Sequence, residues 1–365
     1  MASSFCEARV RRFQSLMQEK GIGATMIRNI YSFTYFAGAS WWQPSILIPA
    51  KAEPIIFAFV DEVEELKEKT WIDNVLGYRK VEELMRAVTE NTRKFSGSGA
   101  LGFDVDIDAS ALLYEQFKTM HPDKKIVDVH GSIMQLRMVK DPTEIENIRR
   151  ASLCAESAVQ AATQSVHIGT TETAIAGEAQ RAARNRGADS VLVYVNAGSP
   201  RVHAHPRNKA VKAGDSVKID VMPSYNGYYS DLAQTVFVGP VTEEKKKAYG
   251  AVVEAVDEYI RMLRADKPLD ELEKIVQTIY SRQRLQKYYI YGFAHGVGLR
   301  FEEDPITTIV VSERKQKTLE NMILNVGHAP LSGKEIGAVK IEDTVLVKKD
   351  GAEKLTNLKR DLQII

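Results

Sequence analysis

The sequence predicts an α/β domain over residues 1–135 followed by an α+β domain over residues 136–365. Three observations carry this reading. The chain has 365 residues, more than a single hydrophobic core usually serves, so two medium domains are expected. Helical periodicities alternate with short β-rich runs through the first third of the chain. A helix-start signature at Asp141 then marks a new beginning.

The first domain opens on Val10-Arg-Arg-Phe-Gln-Ser-Leu-Met-Gln-Glu-Lys-Gly21, with apolar residues at helical spacing and a terminal glycine. The β-rich runs Ala24-Thr-Met-Ile27, Ser45-Ile-Leu-Ile48 and Pro54-Ile-Ile-Phe-Ala-Phe-Val60 follow, with helical stretches between and after them. At the boundary, Asp141 is an N-cap, Pro142 suits the first helical turn and Glu144 completes a capping box. Ile145, Ile148, Ser152, Ala155, Val159 and Ala162 then trace one face of a long helix. The remainder reads helix, helix, strands, helix, strands.

Within that remainder, Val217-Lys-Ile-Asp220-Val-Met222 and Tyr228-Tyr-Ser-Asp231-Leu-Ala-Gln-Thr-Val-Phe-Val238 read as strands, and Asn226-Gly227 between them is a two-residue hairpin signal. That loop sets residue 231 opposite 222. Alternation puts 220 on the same face, so Asp220 and Asp231 are expected as diagonal neighbours. Two carboxylates so placed can serve metal ions; a solvent-exposed pair on an edge hairpin is the plain alternative.

Lysine plus arginine number 49 against 48 acidic residues, which gives no reason to expect nucleic acid or an anionic membrane as partner. Two cysteines, Cys6 and Cys154, suit a reducing compartment without a disulfide. The N-terminal segment has no apolar signal core, and no apolar run has spanning length, so a cytoplasmic location is expected. Of seven histidines, His121, His130 and His167 lie beside turn or glycine signals and read as surface or structural. His295 precedes Gly-Val-Gly, and His203 and His205 flank one alanine, so an extended backbone would put both on one face.

Read in order, Ile219-Asp220, Ser230-Asp231, His295-Gly-Val-Gly-Leu299 and Val339-Lys-Ile-Glu-Asp343 resemble the metal site of the pita-bread metallopeptidases, the family of Xaa-Pro dipeptidase, aminopeptidase P and creatinase. Asn29-Ile-Tyr-Ser-Phe-Thr-Tyr-Phe-Ala-Gly38 echoes the N-terminal domain of creatinase and prolidase, and Leu136–Ala151 resembles the start of the catalytic domain. The resemblance implies a creatinase-like α/β N-terminal domain, a pita-bread α+β C-terminal domain and a homodimer. It implies a divalent ion (Mn, Co, Zn or Fe) on Asp220, Asp231, His295 and Glu342. It also places His203 at the substrate as a proton donor or orienting group, with His205 as the fallback. Lys340 stands where the family often has arginine and is expected near substrate. Trp41 and Trp42 are expected either to reach a neighbouring subunit's site or simply to pack.

The pattern breaks twice. Glu302 stands where the peptidases have a second histidine that donates to the scissile carbonyl, and an ionised carboxylate cannot donate. Gly327 stands at a glutamate ligand position; the adjacent His328 could replace it through a one-residue bulge. One firm metal position and a doubtful second are therefore expected. Three readings stay open: a metallohydrolase of the Xaa-Pro peptidase type acting on a short peptide; a non-peptidase member acting on a small cationic substrate, which Glu302 would suit; and an inactive binding protein.

Overall fold

A computed structural model describes residues 2–365, which form two compact units that divide between Arg137 and Met138. In the first unit the helix Ala2–Glu19 precedes a six-stranded sheet built from β1 (Ile22–Ile27), β2 (Ile46–Pro49), β3 (Ile55–Phe59), β4 (Val75–Tyr78), β5 (Ala100–Phe103) and β6 (Ile126–Asp128). The spatial order is β4-β3-β2-β1-β5-β6. β2 runs antiparallel to both neighbours and the other pairings are parallel, which is why helical crossovers separate those strands in sequence. The family-like segment after β1 is a short helix, Ile30–Ala37, capped by the Asn29 side chain and ended by Gly38 at φ 76°. One core packs Met26, Leu47, Phe57, Leu101 and Phe103 of the sheet against Val88 and Phe117 of the helices Val81–Ser96 and Ala111–Met120.

The second unit opens as its local chemistry demands. The helix Pro142–Gln164 carries a complete capping box between Asp141 and Glu144. Its buried face runs through Ile148, Ser152, Ala155, Val159 and Ala162, while Ile145 is only half-buried. Together with the helix Glu172–Asn185 it packs on the sheet formed by β7 (Ser190–Ala197), β8 (Ser216–Tyr225), β9 (Tyr228–Tyr229) and β10 (Leu232–Phe237). Val217, Ile219 and Val221 of β8 point into this core. Lys218 and Asp220 take the opposite face by alternation, yet they too are buried. Each fully buried valine or isoleucine here contributes about 1.5–3 kcal/mol of burial free energy.

The helices Glu243–Met262 and Leu269–Arg282 cover a second sheet, made of β11 (Ala294–Gly296), β12 (Glu303–Ile306), β13 (Ile323–Val326), β16 (Asp343–Val347) and β17 (Ala352–Lys354) in the order β12-β11-β13-β16-β17. β14 (Leu331–Gly333) and β15 (Gly337–Val339) form a separate hairpin. A bridge between Ala233 and Glu342 ties β10 to the segment just before β16, with N–H···O distances of 3.3 and 3.1 Å. That bridge brings the last sequence motif to the aspartate hairpin.

The cysteines are both buried and free. Among the described residues, no helix is long and apolar enough to cross a membrane. His121 is buried on Thr92 and the Phe117 carbonyl, and His130 pairs with Asp104 at 3.0 Å, in keeping with structural roles. His167 is exposed.

Candidate metal centre

The hairpin turns at Asn226 and Gly227, whose φ values of 49° and 79° are the positive pair that a type I′ turn requires. Tyr229 pairs with Ser224 and Leu232 with Val221, so Asp231 falls opposite Met222 and shares a face with Asp220. The second strand is interrupted at Ser230-Asp231. There the Asp231 amide donates to the Thr344 hydroxyl at 3.1 Å, and that hydroxyl lies 2.9 Å from both the Asp231 carbonyl and Asn325 Oδ1. Thr344 thus holds the aspartate against the second sheet.

His295 comes from β11, which pairs with β13 and β12. Its Nδ1–H donates to the Gly296 carbonyl at 2.9 Å, which leaves the Nε2 lone pair aimed at Glu342 Oε1 (3.6 Å) and Asp231 Oδ2 (3.8 Å). The loop after it is held by Glu303, whose carboxylate fills the space where a side chain at Gly298 would stand, 2.2 Å from an added Cβ. Glu303 in turn pairs with the buried ammonium of Lys140 at 3.1 Å.

The lost glutamate position is explained by backbone. The amides of Gly327 and His328 both donate to the Phe293 carbonyl, at 2.8 and 3.1 Å, so two residues oppose one. With Gly327 at φ 105° this has the features of a bulge built on glycine. An added Cβ at Gly327 would meet the Ile341 carbonyl oxygen at 1.9 Å. His328 is thereby turned inward and buried, with Nδ1 3.6 Å from Glu342 Oε1 and its ring centroid 4.5 Å from that of His295. Restoring the acid by Gly327→Glu is therefore expected to lower stability by about 1–3 kcal/mol or more through backbone strain and clash. It should leave metal content unimproved; thermal denaturation with elemental analysis checks both.

His295, His328 and Glu342 each offer an atom within 4.8 Å of the others, and so do Asp220, Asp231 and Glu342. Buried within this cluster, Asp220 Oδ1, Asp231 Oδ1, both Glu342 oxygens, His295 Nε2 and His328 Nδ1 have no hydrogen-bond partner. Buried polar atoms are rarely left so. Separations of 3.6–3.8 Å are too long for hydrogen bonds. They approach the roughly 3.4 Å that separates ligands held tetrahedrally about 2.1 Å from one ion. The donor set fits a divalent ion on His295, His328 and Glu342, with Asp231 Oδ2 alongside, 3.8 Å from His295 Nε2.

The Asp220 side is different, because two lysines already stand there. Lys340 Nζ is 2.9 Å from Asp220 Oδ2 and 2.7 Å from Glu342 Oε2, close enough for an ion pair although not aligned as a hydrogen bond to the latter. Lys218 Nζ is 3.2 Å from the same Asp220 oxygen and also donates to the Val202 carbonyl. Both lysines are buried. Lys340, expected to meet substrate, serves as an internal counter-ion, and sequence reasoning missed Lys218 altogether. Burial would raise the carboxyl pKa of Glu342, but Lys340, His295 and His328 hold it well below the usual range. Burial, with Glu342 and Asp220 close by, pushes Asp231 well up. Burial would lower Lys340, but Asp220 and Glu342 keep it charged. Burial, with His295 close by, pushes His328 down to about 4.

His203 and His205 lie on an exposed loop and flank Tyr194, with centroids 6.0 and 5.2 Å from its ring. His203 is also 5.5 Å from the His328 ring, so it borders the cluster, and burial together with Lys340 and Lys218 lowers its pKa. Tyr194, on β7 opposite Asp220, went unnoticed in the sequence; burial and the two aspartates raise its phenol. Glu302 is partly buried, with Oε1 3.9 Å from His328 Nε2. In the first unit, Trp41 is buried and Trp42 exposed, and both indole N–H groups donate to Glu62, at 3.2 and 3.0 Å.

Residues 9–139 match the creatinase/prolidase N-terminal domain. The Xaa-Pro dipeptidase of Pyrococcus furiosus is 27% identical over 97% of this chain and 99% of its own, and that of Lactobacillus helveticus 27% over 97% and 98%. The crystal structure of prolidase from Pyrococcus horikoshii superposes with a TM-score of 0.87 at 26% identity, covering 97% of this chain and 99% of that one. With residues 146–349 matching the family model as well, the chain belongs to metallopeptidase family M24, a family of hydrolytic enzymes.

Proposed function

We propose that this chain is a metal-dependent hydrolase of the Xaa-Pro dipeptidase type, cleaving an amide bond in a short peptide. The observation that carries the reading is the set of unpartnered donor atoms on Asp231, His295, His328 and Glu342, drawn from four separate stretches of the chain into two adjoining buried groups that share Glu342. The relatives named Xaa-Pro dipeptidase align along nearly their whole length. An ion bound there supplies Lewis acidity, acidifying water and polarising a carbonyl.

The chain's own groups do the rest. Asp231 and Glu342 bring the negative charge that retains the ion, and the Gly296 carbonyl fixes the His295 tautomer so that Nε2 stays a lone-pair donor. His203, at the cluster's edge and open to solvent, has a lowered pKa and so rests neutral near pH 7, able to take up a proton during the reaction and pass it to a departing amine. Glu302 accepts but does not donate, so it suits a substrate amine rather than a developing oxyanion.

The ion count follows from charge. Two unit charges 4 Å apart repel by about 4 kcal/mol at an effective dielectric of 20, and a divalent ion doubles that for each neighbouring ammonium. An ion beside Asp220 would face both Lys218 and Lys340. One ion per chain is therefore expected, its second position taken by built-in cations.

Elemental analysis after Mn²⁺, Co²⁺ or Zn²⁺ loading, with an Xaa-Pro dipeptide assay, tests this. One equivalent of metal and metal-dependent release of proline are expected. Near-zero metal would end the reading. Metal binding with turnover of guanidino or other cationic amides but not Xaa-Pro dipeptides would favour the role of Glu302 as a cation receptor in a non-peptidase.

A further inference from the structure

The first unit holds a cavity of about 310 Å³ that the metal centre does not explain. It is lined by residues at the carboxyl ends of four parallel strands, Met26 of β1, Phe59 of β3, Tyr78 of β4 and Phe103 of β5, together with the helices Val81–Ser96 and Ala111–Met120. The carboxyl ends of parallel strands are where open α/β sheets place their ligands, because helices there diverge and leave a crevice. The volume lies at the lower end of the range for small-molecule sites.

The wall is apolar apart from one cation and three neutral polar side chains, Gln43, Tyr78 and Gln116. The cation is Arg28. Its Nη1 donates to Ser45 Oγ at 3.2 Å, and its buried Nε has no partner. Among the described residues no carboxylate pairs with this guanidinium, and none lines the cavity. Burial lowers its pKa, opposed only by the phenol of Tyr78. Arg28 is half-buried, and a guanidinium held partly out of water with no acidic partner is suited to receive an anion. Tyr78 stands at the same end, its hydroxyl 3.4 Å from Gln43 Oε1. Away from that polar end, the rings of Phe103 and Phe117 pack at 5.3 Å and supply an apolar floor. The mouth is flanked by Val81 and Met85, 61% and 40% exposed, apolar side chains that solvent alone does not favour at a surface.

We propose that this cavity is a binding site for a small amphipathic monocarboxylate, its carboxylate on Arg28 and its apolar body over the phenylalanines. The wall's chemistry excludes zwitterions: a free amino acid would bring an ammonium to a surface that has no acid to receive it. The inference is independent of the metal centre and stands or falls without it.

Octanoate is a suitable probe, with octylamine and leucine as controls, titrated into the full chain by calorimetry. Saturable octanoate binding without binding of the amine or the amino acid is expected. Arg28→Met should weaken octanoate at least about tenfold, the loss of one charged hydrogen bond. The same substitution removes a half-buried charge that has no acidic partner, so the melting temperature of the ligand-free protein should hold or rise. A fall would mean that Arg28 is structural and would overturn the proposal. Leu113→Trp, which adds volume at a half-buried wall position, should block octanoate with Arg28 intact. Absence of octanoate binding, equal binding by Arg28→Met, or equal binding of octylamine would each refute the site.

Discussion

Replacing Lys340 by methionine is expected to lower the melting temperature of the metal-free protein by about ten degrees. The ammonium lies between Asp220 and Glu342 at ion-pair distance, and all three groups are buried. Breaking a buried pair from one side costs about 3–5 kcal/mol, because the abandoned carboxylates keep their desolvation penalty. In a domain of this size each kcal/mol moves the transition by about 2–4 °C. Excess Mn²⁺ should recover much of the loss, since an ion that binds the folded form alone stabilises it by mass action. Metal content should rise above one equivalent as the vacated charge is replaced. Scanning calorimetry with and without Mn²⁺, and elemental analysis, give both readouts. A variant as stable as the parent, or one whose metal content stays at one, would show that Lys340 is not the second cation.

His295→Ala is expected to remove both the ion and the hydrolysis. Even residues that only orient a ligand change metal affinity by about 10–100-fold, so loss of a ligand itself should exceed about 100-fold in affinity and in kcat/KM. His295 Nε2 has no hydrogen-bond partner, so the cost in stability is that of a buried cavity and of the Nδ1 bond to the Gly296 carbonyl, about 1–3 kcal/mol. Full activity with undiminished metal would reject the assignment of this cluster as the metal centre. Loss of activity with metal retained would shift His295 from ligand to substrate contact.

Local signals in the sequence were read correctly where the physics is local. The capping box at Asp141 and Glu144 needs only three neighbouring residues, and the register that aligns Asp220 with Asp231 follows from a two-residue turn. The sequence allows a bulge that turns His328 inward, but only the two amides converging on Phe293 give it a cause. Lys218 was legible and overlooked: period two puts it on the face of Asp220, two residues away. Its ammonium reads as solvent-seeking until both faces of the strand are known to be covered. Tyr194 and the pair of Lys140 with Glu303 could not be read, because each depends on pairing between segments far apart in the chain.

The Lys140–Glu303 contact also bears on how this polypeptide can be dissected. Lys140 precedes the helix at Pro142, and its amide donates to the Asn321 carbonyl at 3.0 Å while its side chain secures the acid beside Gly298. Fragments trimmed back to the first helical turn would look complete by secondary structure. They would lack the strut that keeps the glycine-rich loop in shape, so the shortest autonomous catalytic fragment must begin upstream of residue 140.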